Sequence, residues 1–221
     1  MSDTGLRKTE KSRVKRLHEY GTYDRNAANA ILDATMMCHV AYVIDGDPYC
    51  TPTIHWRAGN MIYWHGSSAS RMLRKSVNNK VCLTVTHLDG YVMARSAFNH
   101  SVNYRSVMLF GEPTLVPDDQ KAEKLKNLVD ALYPGRFEML REMKDQEVKA
   151  TAILSMPIDE GSAKVTAGPP DDEDDDYAHD IWAGVIPVTP VLGDIEPCPR
   201  LNEGVETPEH IFDFIKNFSN K

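Results

Sequence analysis

Short apolar segments separated by turn dipeptides make up most of the chain from Cys38 to Val116. Asp45-Gly46, Gly59-Asn60 and Asp89-Gly90 fall between successive segments, and these residue types accept the positive φ that tight hairpin turns require. Consecutive hairpins of this kind predict an antiparallel meander that closes into a barrel.

Apolar positions with helical spacing lie on both sides of this meander, and one short helical segment interrupts it. Asp24 is a suitable N-cap for the first helix, and Pro134-Gly135 ends the long helix that follows the meander. The predicted helices cover 25–36, a short segment from Arg71, 118–132, 137–144 and 208–218. The segments VKATAILSMP, SAKVTAG and IWAGVIPV return as strands. The predicted fold is therefore mainly β with peripheral helices.

The chain divides into three predicted regions. Residues 1–20 are basic with few apolar positions, which predicts a mobile or draped N-terminal arm. Residues 21–200 form the β-rich domain, since about 150 to 200 residues suffice for one domain of this class. Residues 201–221 form a C-terminal helical extension, packed on the body or on a partner subunit.

The charge of the chain is local. The net charge is −7, and the run Asp171 to Asp176 alone supplies six negative charges, which leaves the rest of the chain at −1. A nearly neutral body lacks the basic field that nucleic acid binding needs. The acidic run itself is typical of a solvated loop. With no stretch of ~20 apolar residues and no apolar middle in the N-terminus, we expect a cytoplasmic protein without a membrane partner.

A candidate anion site lies where the predicted strand MIYWH ends. Gly66 permits a close turn after His65, three serines follow, and a helix begins at Arg71. Free amides at a helix N-terminus, hydroxyl groups and a guanidinium together suit a phosphate. A turn that merely caps the helix would have the same composition.

Five histidines raise the question of a metal site: His39, His55, His65, His87 and His100. If residues 57–60 form a four-residue hairpin loop, His55 pairs with Ile62, and His65 lies on the opposite face of the sheet. A shared metal ion is therefore not expected, although a β-bulge would reverse the faces.

A polar segment, Asn103 to Ser106, precedes the apolar run VMLF in a predicted strand. Polar side chains on both faces of a strand indicate either a ligand or interface surface, or a solvent-facing edge strand. Motifs of hydrolases and nucleoside triphosphatases are absent.

Several segments in collinear order carry a resemblance to a known family: CHVAYVIDGDPYCTPTIHW, MIYWHGSSASRML, HSVNYRSVMLFG and WAGVIP. The chain resembles the pyridoxamine 5′-phosphate oxidase-like flavin-binding split barrels, and within them the branch of the nitroimidazole-resistance reductases. The resemblance implies a six-stranded antiparallel split β-barrel. It also implies a homodimer that holds FMN in clefts at the subunit interface. The segment from Pro199 to His210 does not reproduce the substrate segment of true pyridoxamine phosphate oxidases.

The resemblance implies site residues in four groups. Those beside the isoalloxazine ring are Thr53, Ile54 and His55; those near the ribityl chain and phosphate are His65, Gly66 and Ser67; those completing the phosphate clamp are Ser70, Arg71 and Met72; those bordering the cofactor, from the same or the other subunit, are Asn103, Tyr104, Arg105 and Ser106. His65 is the predicted catalytic residue, because the pKa of histidine suits acid–base work near neutral pH.

These residues favour one function and leave two alternatives. The leading hypothesis is an FMN-dependent oxidoreductase that passes electrons, for example from NAD(P)H, to a small organic acceptor. The flavin would carry the electron chemistry, and the protein would orient it. The alternatives are a flavin-binding or sensor protein without turnover, and a haem-binding or haem-degrading split barrel.

Overall fold

The computed structural model describes residues 5–218. The first four residues of the predicted arm and the last three of the predicted extension lie outside this range. The helices are α1 (Arg25–Asp33), α2 (Arg71–Ser76), α3 (Lys121–Leu132), α4 (Asp145–Ala150) and α5 (Glu209–Phe218). The strands are β1 (Gly21–Thr22), β2 (Met37–Ile44), β3 (Asp47–Ala58), β4 (Met61–Ser67), β5 (Val81–Met93), β6 (Ser101–Gly111), β7 (Thr114–Leu115), β8 (Thr151–Pro157), β9 (Glu160–Thr166) and β10 (Gly184–Pro187).

Within residues 5–218 the strands form one antiparallel sheet in the order β1-β9-β6-β5-β2-β3-β4-β8-β7, and β10 pairs with β5. β3 is long enough to pair with β2 along its first half and with β4 along its second. The sheet therefore curls into a split barrel that does not close. The predicted fold, mainly β with peripheral helices, is confirmed, with ten strands rather than six.

Two hydrophobic clusters lie on opposite sides of the curled sheet. The larger cluster fills the barrel and includes Trp64, Leu83 and Leu109, all fully buried. The smaller cluster packs the outer side of β3, β4 and β8 against α3, with Trp56 and Tyr63 at its centre. Burial of each such side chain contributes about 1.5–3 kcal/mol. The rigid β3–β4 region between the clusters carries most of the predicted site.

Helix α1 packs over one end of the barrel, which we call the barrel mouth. The Asp24 carboxylate accepts a hydrogen bond from the Ala27 N–H at 2.7 Å, as an N-cap should. The helix ends at Asp33 rather than Met36, because the chain turns into β2 at Met37, which pairs with Ile54. The prediction was too long by three residues.

The β3–β4 hairpin has a tighter turn than predicted. Ala58 pairs with Met61 across Gly59-Asn60, and Gly59 has a φ of +60°. The register is therefore shifted, so that His55 pairs with Trp64 rather than Ile62. A shift of two residues leaves every side chain on the same face. The prediction that His55 and His65 lie on opposite faces is confirmed.

Asp89-Gly90 was predicted as a hairpin turn, and this prediction is wrong. β5 runs without interruption from Val81 to Met93, and its pairing with β6 slips by one residue between Leu88 and Gly90. Asp89 is the extra residue of a β-bulge. The strand can continue because β10 pairs with its second half, with Ile186 opposite Tyr91.

The acidic run is anchored rather than fully solvated. The Asp172 side chain is completely buried and accepts hydrogen bonds from the backbone N–H and the guanidinium of Arg95 at 2.9 and 3.0 Å. The Tyr177 ring packs on the same guanidinium at 4.8 Å. One carboxylate of the run therefore fixes the loop, and the other acidic residues face solvent.

Two of the remaining predicted helices are found in the structure, and one is not. α3 and α5 lie where predicted, and the Phe214 ring of α5 packs near Tyr133 at 6.3 Å. The predicted helix at 137–144 is wrong: only Phe137–Met139 forms a 3₁₀ turn, and α4 begins later, at Asp145. Among residues 5–218, no helix is long and apolar enough to cross a membrane.

Candidate functional site

The turn from Gly66 to Arg71, here called the anion turn, connects β4 to α2. Gly66 lies under Leu73, and a Cβ at Gly66 would come within 3.2 Å of the Leu73 Cδ1 atom. Ser70 is the N-cap of α2, and its Oγ accepts a hydrogen bond from the Leu73 N–H at 3.4 Å. The glycine and the cap therefore hold the exposed serines Ser67 and Ser68 on a fixed backbone.

Three backbone amides of this turn already have acceptors, whereas free amides were expected at the helix N-terminus. The N–H groups of Ser68 and Ser70 donate to the carbonyls of Ala150 and Ser67, and the Ala69 N–H donates to the Ser67 Oγ. An anion would therefore have to be held mainly by side chains. Since α2 has only six residues, its dipole adds little.

Arg71 is the side chain best placed for an anion. Its guanidinium is exposed and lies 4.8 Å from the centre of the Tyr49 ring. The ion pairs formed among residues 5–218 do not include Arg71. A stacked, charged group without a carboxylate partner is free to bind phosphate. Met72, by contrast, is packed in the core.

His65 lies on the outer side of β4, one residue before the anion turn. Its ring is half-buried and lies edge-on to Trp56, with 6.0 Å between the ring centres. Its Nδ1 atom is buried without a hydrogen-bond partner among the described residues. Burial lowers the pKa of His65. The ring is therefore neutral near pH 7, the form that accepts a proton or binds a metal.

The three predicted ring-side residues of β3 separate onto two faces. Ile54 pairs with Met37 of β2 and packs against the outer cluster, whereas Thr53 and His55 point to the other face. The His55 side chain is buried, and its Nε2 lies 3.0 Å from the Leu32 carbonyl at the end of α1. His55 therefore closes the barrel mouth, and only its backbone runs beside the outer face.

Residues Asn103 to Ser106 also alternate between faces. Tyr104 and Ser106 lie on the outer face of β6, beside Lys164, whereas Arg105 points toward the barrel mouth. Three strands, β5, β2 and β3, separate β6 from β4. Within one chain the structure therefore does not bring these residues together with the anion turn.

The barrel mouth holds a polar cluster that sequence reasoning missed. The Asp89 carboxylate binds Arg105 through two hydrogen bonds of 2.9 Å, to Nε and Nη2. The His87 Nε2 lies 3.0 Å from the Ile31 carbonyl. The β-bulge directs Asp89 toward Arg105, and only its adjacency to Gly90 hinted at an irregular strand. Tyr49, the support of Arg71, carried no sequence signal.

The residues present are compatible with a flavin and less so with a metal cluster. Exposed hydroxyls and an unpaired arginine at a glycine turn suit a phosphate monoester. Ile54 and the buried, unpartnered Nδ1 of His65 offer an apolar and a polar contact next to it. Residues 5–218 contain no group of three histidine, cysteine or acidic side chains that could hold a metal ion.

Fold and site together define a split-barrel protein with an exposed turn of serines and an arginine beside its long hairpin. A family model described as pyridoxamine 5′-phosphate oxidase matches residues 24–165. The chain belongs to this family, and the resemblance drawn from its sequence segments is confirmed.

Two solved structures resemble nearly the whole chain. The flavocytochrome Anf3 from Azotobacter vinelandii is 47% identical, with a TM-score of 0.90 over 93% of this chain and 96% of that one. The FAD- and haem-binding protein from Mycobacterium smegmatis is 36% identical, with a TM-score of 0.86 over 89% and 97%.

A third structure shares the barrel alone. A putative 5-nitroimidazole antibiotic resistance protein from Bacteroides thetaiotaomicron is 20% identical, with a TM-score of 0.53 over 64% of this chain and 84% of that one. Among curated proteins, none matches the chain.

Proposed function

We propose that this protein is a flavin-dependent redox protein that binds the flavin phosphate at the anion turn. The observation that carries the proposal is the 47% identity to a flavocytochrome over nearly the full length of both chains. Arg71 at the start of α2 supports it independently, because its guanidinium is exposed and has no carboxylate partner among residues 5–218. When bound, the flavin supplies the electron-transfer chemistry.

The chain's own residues have distinct roles in this proposal. Ser67, Ser70 and Arg71 hold the phosphate, with Gly66 allowing the close turn, and the backbone of Thr53, Ile54 and His55 lies along the ring. His65, neutral near pH 7, accepts or returns a proton beside the ring. The resemblance predicts FMN, whereas the similar M. smegmatis protein is described as binding FAD. Either flavin presents a phosphate at the end of the ribityl chain.

The proposed assembly is a homodimer that completes the site. Met37, Val43 and Met108 share the outer face of the sheet and are 45%, 59% and 42% exposed. Exposed apolar side chains that share one face of a sheet suit an interface. A second copy packed there would supply Tyr104 and Ser106, the outer-face residues of the 103–106 segment, to the first copy's anion turn. Light scattering should report a dimer, and Met108→Glu should give monomers that lose flavin.

Haem is a second candidate cofactor, because both full-length structural relatives are described as binding it or as a flavocytochrome. His65 would be the residue to hold the haem iron, since its ring is neutral and its Nδ1 has no hydrogen-bond partner among the described residues. A haem titration should give a Soret band that His65→Ala abolishes. His179→Ala, which removes an exposed histidine away from this face, is the matched control.

The visible spectrum of freshly purified protein tests the main proposal. We expect flavin bands near those of free flavin, and chromatography of the heat-released cofactor should identify it as FMN or FAD. Oxidation of NADH or NADPH with a quinone or nitroaromatic acceptor then separates an enzyme from a binder or sensor without turnover. A colourless protein that refuses both flavins would contradict the proposal. A cytoplasmic location stays a prediction.

A further inference from the structure

A cleft of about 410 Å³ lies where the C-terminal segment crosses the barrel mouth, and we call it the Arg105 cleft. Its floor is polar and consists of His87, Asp89 and Arg105. Its sides are Pro187 to Val191 and Phe218. These side residues lie beyond the part of the chain that the family model matches, which ends at residue 165. The chain beyond residue 165 therefore adds a cleft to the shared barrel.

Residues 185–188 pack closely on the β-bulge at Asp89, which forms part of the cleft floor. The Val188 N–H donates to the Asp89 carbonyl at 3.0 Å. A Cβ at Gly90 would come within 3.1 Å of Val185 and 3.2 Å of the Ile186 carbonyl, so a larger residue fits only if these neighbours shift by a few tenths of an ångström. A β-bulge that re-aims a side chain into a cleft is typical of a binding site.

The chemistry of the floor favours an uncharged ligand. Asp89 neutralises Arg105 and fixes the guanidinium through Nε and Nη2, which leaves Nη1 outside the ion pair as a donor. The His87 Nε2–H donates to the Ile31 carbonyl, so its Nδ1 is an acceptor. The proline, valine and phenylalanine side chains supply apolar contact for a flat ring.

We infer that the Arg105 cleft binds a small planar aromatic carbonyl compound of the quinone class, with a carbonyl oxygen on Arg105. This assigns a ligand site separate from the anion turn, and binding there does not depend on the proposed flavin. The apolar sides pack against the ring, and the Asp89–Arg105 pair orients the donor without attracting an anion.

Calorimetric titration of the purified protein with menadione tests the inference. Arg105→Gln should weaken menadione binding roughly tenfold, the loss of one charge-assisted hydrogen bond. Arg141→Gln, which breaks the similar pair with Glu147 away from the cleft, should change the affinity less than twofold. No binding by the wild type, or equal effects of the two variants, would overturn the inference. Thermal melts establish that each variant is folded.

A second variant tests the role of the ion pair. Asp89→Asn leaves the charge of Arg105 uncompensated, so benzoate should bind roughly tenfold more tightly while menadione changes less than threefold. Wild-type protein that prefers benzoate would show that the cleft takes anions. Menadione that competes with FMN or FAD would show that the cleft belongs to the flavin site. Menadione binding by Arg71→Ala protein without flavin would separate this inference from the proposed function.

Discussion

Three arginines of this protein differ in what surrounds the guanidinium. Arg71 at the anion turn stacks on Tyr49 and has no carboxylate partner among residues 5–218. Arg105 at the barrel mouth is held by Asp89 and is 40% exposed, and Arg95 is held by the buried Asp172. Arg71 can bind an added anion, whereas Arg105 and Arg95 are already paired with a carboxylate of the protein. The pairing of an arginine, more than its presence in a motif, therefore decides what it can recognise.

The largest expected effect concerns the unpaired arginine. Arg71→Ala should weaken flavin binding roughly ten- to hundredfold, because a charge-assisted phosphate contact contributes about 1.5–3 kcal/mol. Fluorescence titration of the apoprotein with FMN and FAD measures the change. Lys75→Ala, which removes an exposed cation near the other end of α2, is the control and should cost less than threefold. Equal losses would indicate a general charge effect.

The buried pair should respond to pH. Although burial alone would raise the pKa of Asp172, hydrogen bonds from the Arg95 backbone and side chain lower it. A lowered pKa stabilises the fold above the unfolded value near 4, and this contribution is lost as the pH falls through the folded value. Melting curves of Asp172→Asn should show a lower Tm at pH 7 and a smaller drop on acidification. An unchanged Tm at pH 7 would mean that the pair does not hold the loop.

The half-exposed pair should matter less to stability. Asp89→Asn breaks the bidentate contact with Arg105, and exposed pairs of this kind contribute about 1 kcal/mol or less. We expect the Tm to fall by about 2–4 °C in calorimetry. A drop larger than that of Asp172→Asn would reverse the ranking of the two pairs.

The smallest effect should come from the histidine at the barrel mouth. Burial lowers the pKa of His55, and its hydrogen bond to Leu32 offsets this only in part. The unfolded chain therefore binds more protons below about pH 6.5, and stability falls as the pH drops through the lowered pKa. His55→Gln keeps a donor for the Leu32 carbonyl and cannot titrate. Urea midpoints at pH 7.5 and 5.5 should differ less in this variant than in the wild type.

The sequence predicted the parts of the fold that depend on local patterning. The apolar alternation predicted most of the strands. The Asp24 cap predicted the start of α1, and Pro134-Gly135 predicted the end of α3. The predicted turn at Asp89-Gly90 was wrong, because β-bulges and turns favour the same residue types. Only the pairing of β10 with β5 distinguishes them here. Asp172 misled as well, since nothing in the acidic run marks the one carboxylate that reaches Arg95.

The candidate site was predictable only as far as one motif reached. Five of the predicted residues lie within one stretch of seven, and the structure places them at the end of β4 and on the anion turn: His65, Gly66, Ser67, Ser70 and Arg71. Residues 103–106 could not be placed relative to them, because their distance depends on the order of the intervening strands. Three of the amides expected to be free at the turn donate instead to the Ala150 carbonyl and to the carbonyl and hydroxyl of Ser67.

The most direct measurement of the central claim is a crystal structure of the flavin-loaded protein. The account predicts a flavin phosphate within hydrogen-bond distance of the Arg71 guanidinium and the Ser67 and Ser70 hydroxyls, in a cleft completed by a second copy. A phosphate bound elsewhere, with Arg71 in solvent, would contradict it.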